Sequence, residues 1–79
     1  MKLWIGNVAP GTSDDEVRAL LGRYGADTVG AIERVEGDGS RPAAIVELEL
    51  LPENLDKISN RLNGLYWKGR SLTVQAMTR

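Results

Sequence analysis

Two segments of the chain carry a single apolar stripe at helical spacing, and this feature limits the possible folds more than any other. The first stripe has apolar residues at i, i+3, i+4 and i+7 and consists of Val17, Leu20, Leu21 and Tyr24. The second stripe consists of Leu55, Ile58 and Leu62. Because a helix with one such stripe buries only one side, both helices need another layer to pack against.

The ends of both helices are marked in the sequence. Ser13 and Glu16 have the spacing of a capping box, in which each side chain bonds to the backbone amide of the other residue. Gly25 suits the left-handed residue that ends a helix. Pro52 suits the first position of the second helix, and Gly64 is expected to end that helix.

Three segments alternate between apolar and other residues, as half-buried strands do. They are residues 2–6, 41–50 and 71–77. The inward-facing residues are predicted to be Leu3, Ile5, Ala44, Val46, Leu48, Leu50, Leu72, Val74 and Ala76. Gly6 and Asn7 should turn the chain after the first strand, and Pro42 should lie at the beginning of its strand because it lacks an amide donor.

A further strand is predicted over Val29–Val35, but its phase is ambiguous. Val29, Ile32 and Val35 are three residues apart, so a bulge or a core position of Val29 ahead of the strand would be needed. We place Ile32 in the core, which puts Glu33 and Val35 on the other side. Residues 37–40 should form a hairpin loop, and residues 65–70 should form a short connector, with Trp67 packed at the end of the second helix.

The predicted order is strand, helix, strand, strand, helix, strand. Two split βαβ units of this kind give an α+β, ferredoxin-like βαββαβ sandwich, in which a four-stranded antiparallel sheet has both helices on one face. Residues 1–79 should form one domain. The side of the sheet away from the helices is called the open face, and Trp4 should lie on it, where an aromatic side chain needs an explanation.

The chain resembles an RNA recognition motif (RRM) domain, in a small, single-domain, bacterial-type form, over nearly its whole length. Residues 3–8, Leu-Trp-Ile-Gly-Asn-Val, resemble the family's hexamer on the first strand. Residues 41–48 occupy the place of its octamer on the third strand. Residues 17–25 resemble the end of its first helix, and residues 62–64 with 69–72 resemble its approach to the last strand.

This resemblance implies that single-stranded RNA binds across the open face, with bases stacked on aromatic side chains. Trp4 fills the aromatic position of the hexamer, and Arg41 fills the basic position of the octamer. Ala43 and Ile45 stand where the octamer has aromatic residues, and Pro42 stands where it has a small residue, so the octamer is degenerate. The predicted RNA-binding residues are Lys2, Trp4, Asn7, Arg41, Ala43, Ile45, Gln75, Met77 and Arg79.

Other interpretations apply to the same residues. The apolar part of the open face could instead bind a protein partner or a second copy of the chain; it consists of Trp4, Val35, Ala43, Ile45 and Met77. Arg41 could be a solvated loop residue, and the polar side chains could contact only water. An anion at the start of the first helix would be repelled by Asp14, Asp15 and Glu16, which counts against a small-molecule site there.

Composition excludes several classes of function. The chain has no His and no Cys, so the commonest general base, metal ligand and thiol nucleophile are missing. Its acidic residues are scattered, which makes an enzyme, a metal site or a bound cofactor unexpected. With 42% hydrophobic and 27% charged residues and no long apolar run, we expect a cytoplasmic protein without a membrane segment. The net charge of −1 argues against strong non-specific binding of nucleic acid.

Overall fold

A computed structural model describes residues 1–26, 28–37 and 39–77. The two helices are α1 (Asp14–Arg23) and α2 (Pro52–Leu62). The strands are β1 (Lys2–Gly6), β2 (Val29–Val35), β3 (Ala43–Leu48), β4 (Tyr66–Trp67), β5 (Arg70–Ser71) and β6 (Thr73–Met77). The main sheet has the order β2-β3-β1-β6 and is antiparallel throughout. This is the ferredoxin-like sandwich that the sequence predicts.

The core lies between this sheet and the two helices. Apart from Tyr24, the apolar stripes of both helices are buried, as are the inward residues of β1 and β3. The core cluster consists of Leu3, Ile5, Val8, Val17, Leu20, Leu21, Ala26, Ala44, Val46, Leu48, Leu55, Ile58, Leu62, Leu72 and Val74. Tyr24 and Ala76 are partly buried against it. The inward sides of β1, β3 and β6 are therefore the ones that alternation predicted.

The helix boundaries follow local chemistry. The Ser13 hydroxyl accepts from the Glu16 amide at 3.1 Å, and the Glu16 carboxylate accepts from the Ser13 amide at 2.9 Å. This reciprocal pair is the predicted capping box. Gly25 follows α1 with a φ of 96°, and Gly64 follows α2 with a φ of 84°. Both glycines thus adopt the left-handed conformation that ends a helix.

The phase of β2 is resolved by a break in its pairing with β3. The register shifts between Val29 and Ile32, so both side chains pack against the core although they are three residues apart. Glu33 then pairs with Ile45, which places Glu33 on the open face. The bulge proposed from the sequence is confirmed.

Two predicted strands are shorter than expected, and one connector was described incompletely. Residues 41, 42, 49 and 50 lie outside β3, and β6 begins at Thr73 rather than at residue 71. Residues 66–71 form a small hairpin of their own, in which β4 pairs with β5. Its two-residue turn consists of Lys68 and Gly69, with φ values of 54° and 84°. Positive φ at both positions is the requirement of the turns that join two-residue hairpins.

Trp67 lies in the β4–β5 hairpin and adjoins α1. It is partly buried against the core and shares a surface depression with Ala19, Leu20 and Arg23 of α1. The sequence placed it at the end of the second helix and did not indicate this position beside α1. Within the described ranges, neither helix is long and apolar enough to cross a membrane.

Candidate functional site

A row of four side chains crosses the middle of the open face. Trp4 on β1 lies between Ile45 on β3 and Gln75 on β6, and Ile45 in turn lies beside Glu33 on β2. Trp4 and Ile45 are half-buried, whereas Gln75 and Glu33 are exposed. Strand register therefore brings an aromatic ring, an aliphatic side chain and two polar side chains onto one continuous surface.

The Trp4 side chain leans along β1 toward Gly6. A Cβ atom placed on Gly6 would lie only 2.9 Å from Nε1 of Trp4, which is closer than real Cβ contacts allow. Gly6 is two residues from Trp4, so the two residues lie on the same side of the strand. The glycine therefore leaves the space that the indole uses. The sequence indicated Gly6 only as a turn residue, because alternation alone gives no side-chain tilt.

A second row runs parallel to the first. Lys2 on β1 pairs with Glu47 on β3 and with Met77 on β6, and Lys2 is exposed. Between the two rows, toward β2, there is a depression of about 250 Å³. It is lined by Lys2, Ala31, Glu33, Ile45 and Glu47. We call this the β2–β3 depression. It combines an apolar wall with one cation and two carboxylates.

One oxygen of Glu47 has no hydrogen-bond partner among the described residues. Its Oε1 lies 3.9 Å from the amino group of Met1. Its Oε2 is shielded from solvent and accepts no hydrogen bond from the residues that the structure describes. A carboxylate oxygen is an acceptor only, and a shielded acceptor without a donor is unfavourable.

Ala43 belongs to the open face but offers little surface. It pairs with Val35, as the predicted phase requires, yet it is only 4% exposed. Its predicted role as an RNA contact therefore has little side-chain area to support it. Arg41 precedes it and is exposed, with the buried Pro42 between them. Alternation shows which side a residue faces but does not show how far its neighbours cover it.

Asn7 is held by contacts within the protein. Its φ is 59°, its Nδ2 donates to the Ser71 carbonyl at 2.9 Å, and its Oδ1 accepts from Arg70 at 3.4 Å. Arg70 Nη1 also donates to the Ser40 carbonyl at 2.6 Å. These bonds give Asn7 a structural role at the rim of the open face, in addition to the RNA contact predicted for it.

The predicted site residues are thus divided among three places. Lys2, Trp4, Ile45, Gln75 and Met77 adjoin one another on the open face. Arg41 and Asn7 lie in the loops at one rim of the sheet, and Ala43 lies beneath the surface. Arg79 lies outside the described residues.

Several cations are engaged near α1, away from the open face. Arg34 Nη1 donates to Asp14 at 3.0 Å, and Arg34 Nη2 donates to the Thr12 carbonyl. Lys68 Nζ donates to Glu16 Oε2 at 2.7 Å. The Lys68 ammonium and the Ser13 amide both bond to the Glu16 carboxylate and lower its pKa below the ordinary value of 4.5. Within the described ranges, no three acidic side chains gather closely enough to hold a metal ion.

The fold is that of an RRM domain. No protein-family model matches the chain, and no curated protein matches it. Among solved structures, the third RRM of Pes4 superposes with a TM-score of 0.81 at 19% identity, covering 99% of this chain and 92% of that one. The RRM of Puf1 from S. pombe gives a TM-score of 0.77 at 22% identity, covering 100% and 99%. The RRM of Rna15 with bound RNA (GU) gives 0.77 at 17% identity, covering 99% and 83%.

Proposed function

We propose that this chain is a single-stranded RNA-binding module that uses the open face of its sheet and has no enzymatic activity. The observation that carries the proposal is the position of Trp4. It is an aromatic side chain on the central strand β1, on the side without helices, and it is half-exposed between Ile45 and Gln75. RRM domains stack RNA bases on aromatic side chains of this face. The likeness to the RNA-bound Rna15 domain supports the same use here.

Affinity should be weak for a domain of this fold. The octamer positions that carry aromatic residues in the family are occupied here by Ala43 and Ile45. Each stacked base contributes about 1–3 kcal/mol, so two absent platforms cost about 2–6 kcal/mol. That corresponds to a loss of roughly 30-fold to 10⁴-fold in affinity, offset in part by the apolar surface of Ile45. The carboxylates of Glu33 and Glu47 on the same face oppose the phosphates as well.

The direct test is a titration with a short single-stranded RNA pool of random sequence, followed by amide chemical shifts. The largest shifts are expected at Lys2, Trp4, Arg41 and Gln75, and binding should weaken steeply as salt is raised. No shift on the open face at high micromolar RNA would overturn the proposal. Shifts that depend on protein concentration without RNA would instead indicate self-association through this face.

Tryptophan fluorescence gives a second readout, because the chain has two tryptophans that lie in different places. The variant Trp67→Phe leaves Trp4 as the reporter on the open face. The matched variant Trp4→Phe leaves Trp67, which lies beside α1. RNA is expected to quench the first variant and to leave the second unchanged. Equal quenching of both would place the RNA away from the open face.

A further inference from the structure

We propose that the β2–β3 depression favours guanine over the other bases in the bound RNA. This inference rests on the proposed function, because it names the base that the same open face selects. It depends on three features that lie together: the apolar side chain of Ile45 beside Trp4, the carboxylates of Glu33 and Glu47, and the oxygen of Glu47 that lacks a partner.

The position of the depression suits the base next to the one stacked on Trp4. Ile45 is the direct cross-strand neighbour of Trp4 and also forms one wall of the depression. Ala31 adds a small, exposed side chain on β2. A strand of RNA that places one base on the indole can therefore place the adjacent base against Ile45. Apolar contact holds a base there without discriminating strongly between bases, so the polar groups of the lining decide the preference.

Those polar groups are mainly acceptors. Ionised carboxylates accept hydrogen bonds and donate none. Guanine presents two adjacent donors on its Watson–Crick edge, N1–H and N2–H, which match the two oxygens of one carboxylate. Adenine and cytosine present one amino group beside an acceptor nitrogen, and uracil presents one N–H between two carbonyl oxygens. The carboxylates therefore attract guanine most, repel uracil most and treat adenine and cytosine as intermediate.

Glu47 is the better candidate for the contact. Its side chain is half-exposed, but its Oε2 is shielded and has no donor among the described residues, whereas Glu33 is exposed to water. Rotation of the Glu47 carboxylate brings Oε2 to the base, and an acceptor that had no donor gains more from a new one than a solvated acceptor does. Lys2, the cation in the lining, offsets part of the repulsion between the carboxylates and the RNA phosphates.

The experiment measures affinities for five oligonucleotides that share a uridine background and differ only in one central base: G, A, C, U or inosine. A bidentate contact with a base edge supports a discrimination of about 5-fold to 150-fold, and a partly exposed site should lie at the lower end, at about 5-fold to 10-fold. We expect guanine to bind that much tighter than uracil. Inosine, which lacks the N2 amino group, should fall between them.

The variant Glu47→Gln separates base recognition from general electrostatics. Removing a negative charge strengthens binding to every oligonucleotide, because phosphates are repelled less. The amide also offers a donor, so the guanine-to-uracil ratio should fall toward 1. The matched control is Glu49→Gln, since Glu49 is exposed just beyond β3 and does not line the depression. It should strengthen all five complexes alike and leave the ratio unchanged.

The outcomes distinguish the two proposals. If none of the oligonucleotides perturbs the open face, the proposed function is wrong. If they bind there without a preference for guanine, or if Glu47→Gln keeps the wild-type ratio, RNA binding stands and the base preference is overturned. Because Glu47 is half-exposed, the variant is expected to keep the wild-type amide spectrum outside β2 and β3, which confirms its folding.

Discussion

Replacing Gly6 with alanine tests whether the Trp4 platform depends on the space above a glycine. The new Cβ would lie 2.9 Å from Nε1 of Trp4, whereas ordinary contact begins at 3.4 Å, so the indole must retreat by at least 0.5 Å. A side chain forced about 30° from its rotamer costs about 0.5–1.5 kcal/mol. Loss of the unfolded-state freedom of glycine returns about 0.4–1 kcal/mol, so the net change in the free energy of unfolding should be small.

RNA affinity should respond more strongly than stability. A tilted indole no longer presents its face to a base, and a lost stacking contact costs about 1–3 kcal/mol, or roughly 5-fold to 150-fold in affinity. Fluorescence anisotropy with labelled RNA measures this loss, and chemical denaturation measures the stability. Gly22→Ala is the matched control, because a Cβ there meets nothing within 4 Å and the residue lies in α1. It should stabilise the helix by about 0.5–1 kcal/mol and leave RNA affinity unchanged.

A double-mutant cycle identifies the clash as the cause. In the background Trp4→Phe, the ring has no Nε1 atom to meet the new Cβ, so Gly6→Ala should no longer lower RNA affinity. The reasoning is refuted if Gly6→Ala leaves the affinity of the wild-type chain unchanged. It is refuted equally if the loss has the same size in the Trp4→Phe background, because the alanine would then act through the backbone.

Four other substitutions follow from the structure. Ile45→Phe should raise RNA affinity by about 5-fold to 150-fold by adding a stacking platform, which fluorescence anisotropy measures. Ala43→Phe should instead destabilise the fold by about 1–3 kcal/mol because the site is buried, which chemical denaturation measures. Lys68→Met should raise the pKa of Glu16 toward 4.5, and carboxyl NMR titration measures this change. Because the pKa of Glu16 is lowered in the folded state, its contribution to stability is present above pH 4.5. That contribution is lost as the pH falls through the folded-state pKa. Ser13→Ala should lower the free energy of unfolding by about 1 kcal/mol in thermal or urea melts, through loss of the helix cap.

Features that depend on local chemistry were predictable from the sequence. The capping box at Ser13, the proline that begins α2 and the glycines that end both helices each involve residues a few positions apart. The inward and outward faces of β1 and β3 followed from alternation. Since each helix has one apolar stripe, the sequence also predicted that one face of the sheet would have no helix on it. These features were sufficient to place Trp4 on that face.

Features that depend on distant contacts were not predictable. The hydrogen bonds of Asn7 to Ser71 and Arg70 join residues more than 60 positions apart. The position of Trp67 beside α1 was not predictable, because it depends on a two-residue hairpin rather than on any apolar period. The side-chain tilt of Trp4 over Gly6 and the burial of Ala43 depend on neighbouring strands, whose packing a single sequence does not specify.

The register break in β2 also protects the sheet from aggregation. β2 is an edge strand, since it stands at the end of the sheet order in the described part of the chain. A regular edge presents a row of unpaired amides and carbonyls to which another chain can add a strand. The shift between Val29 and Ile32 interrupts that row, and bulges of this kind increase the local twist. The same irregularity that brings two non-alternating residues into the core therefore makes this edge a poor template for strand addition.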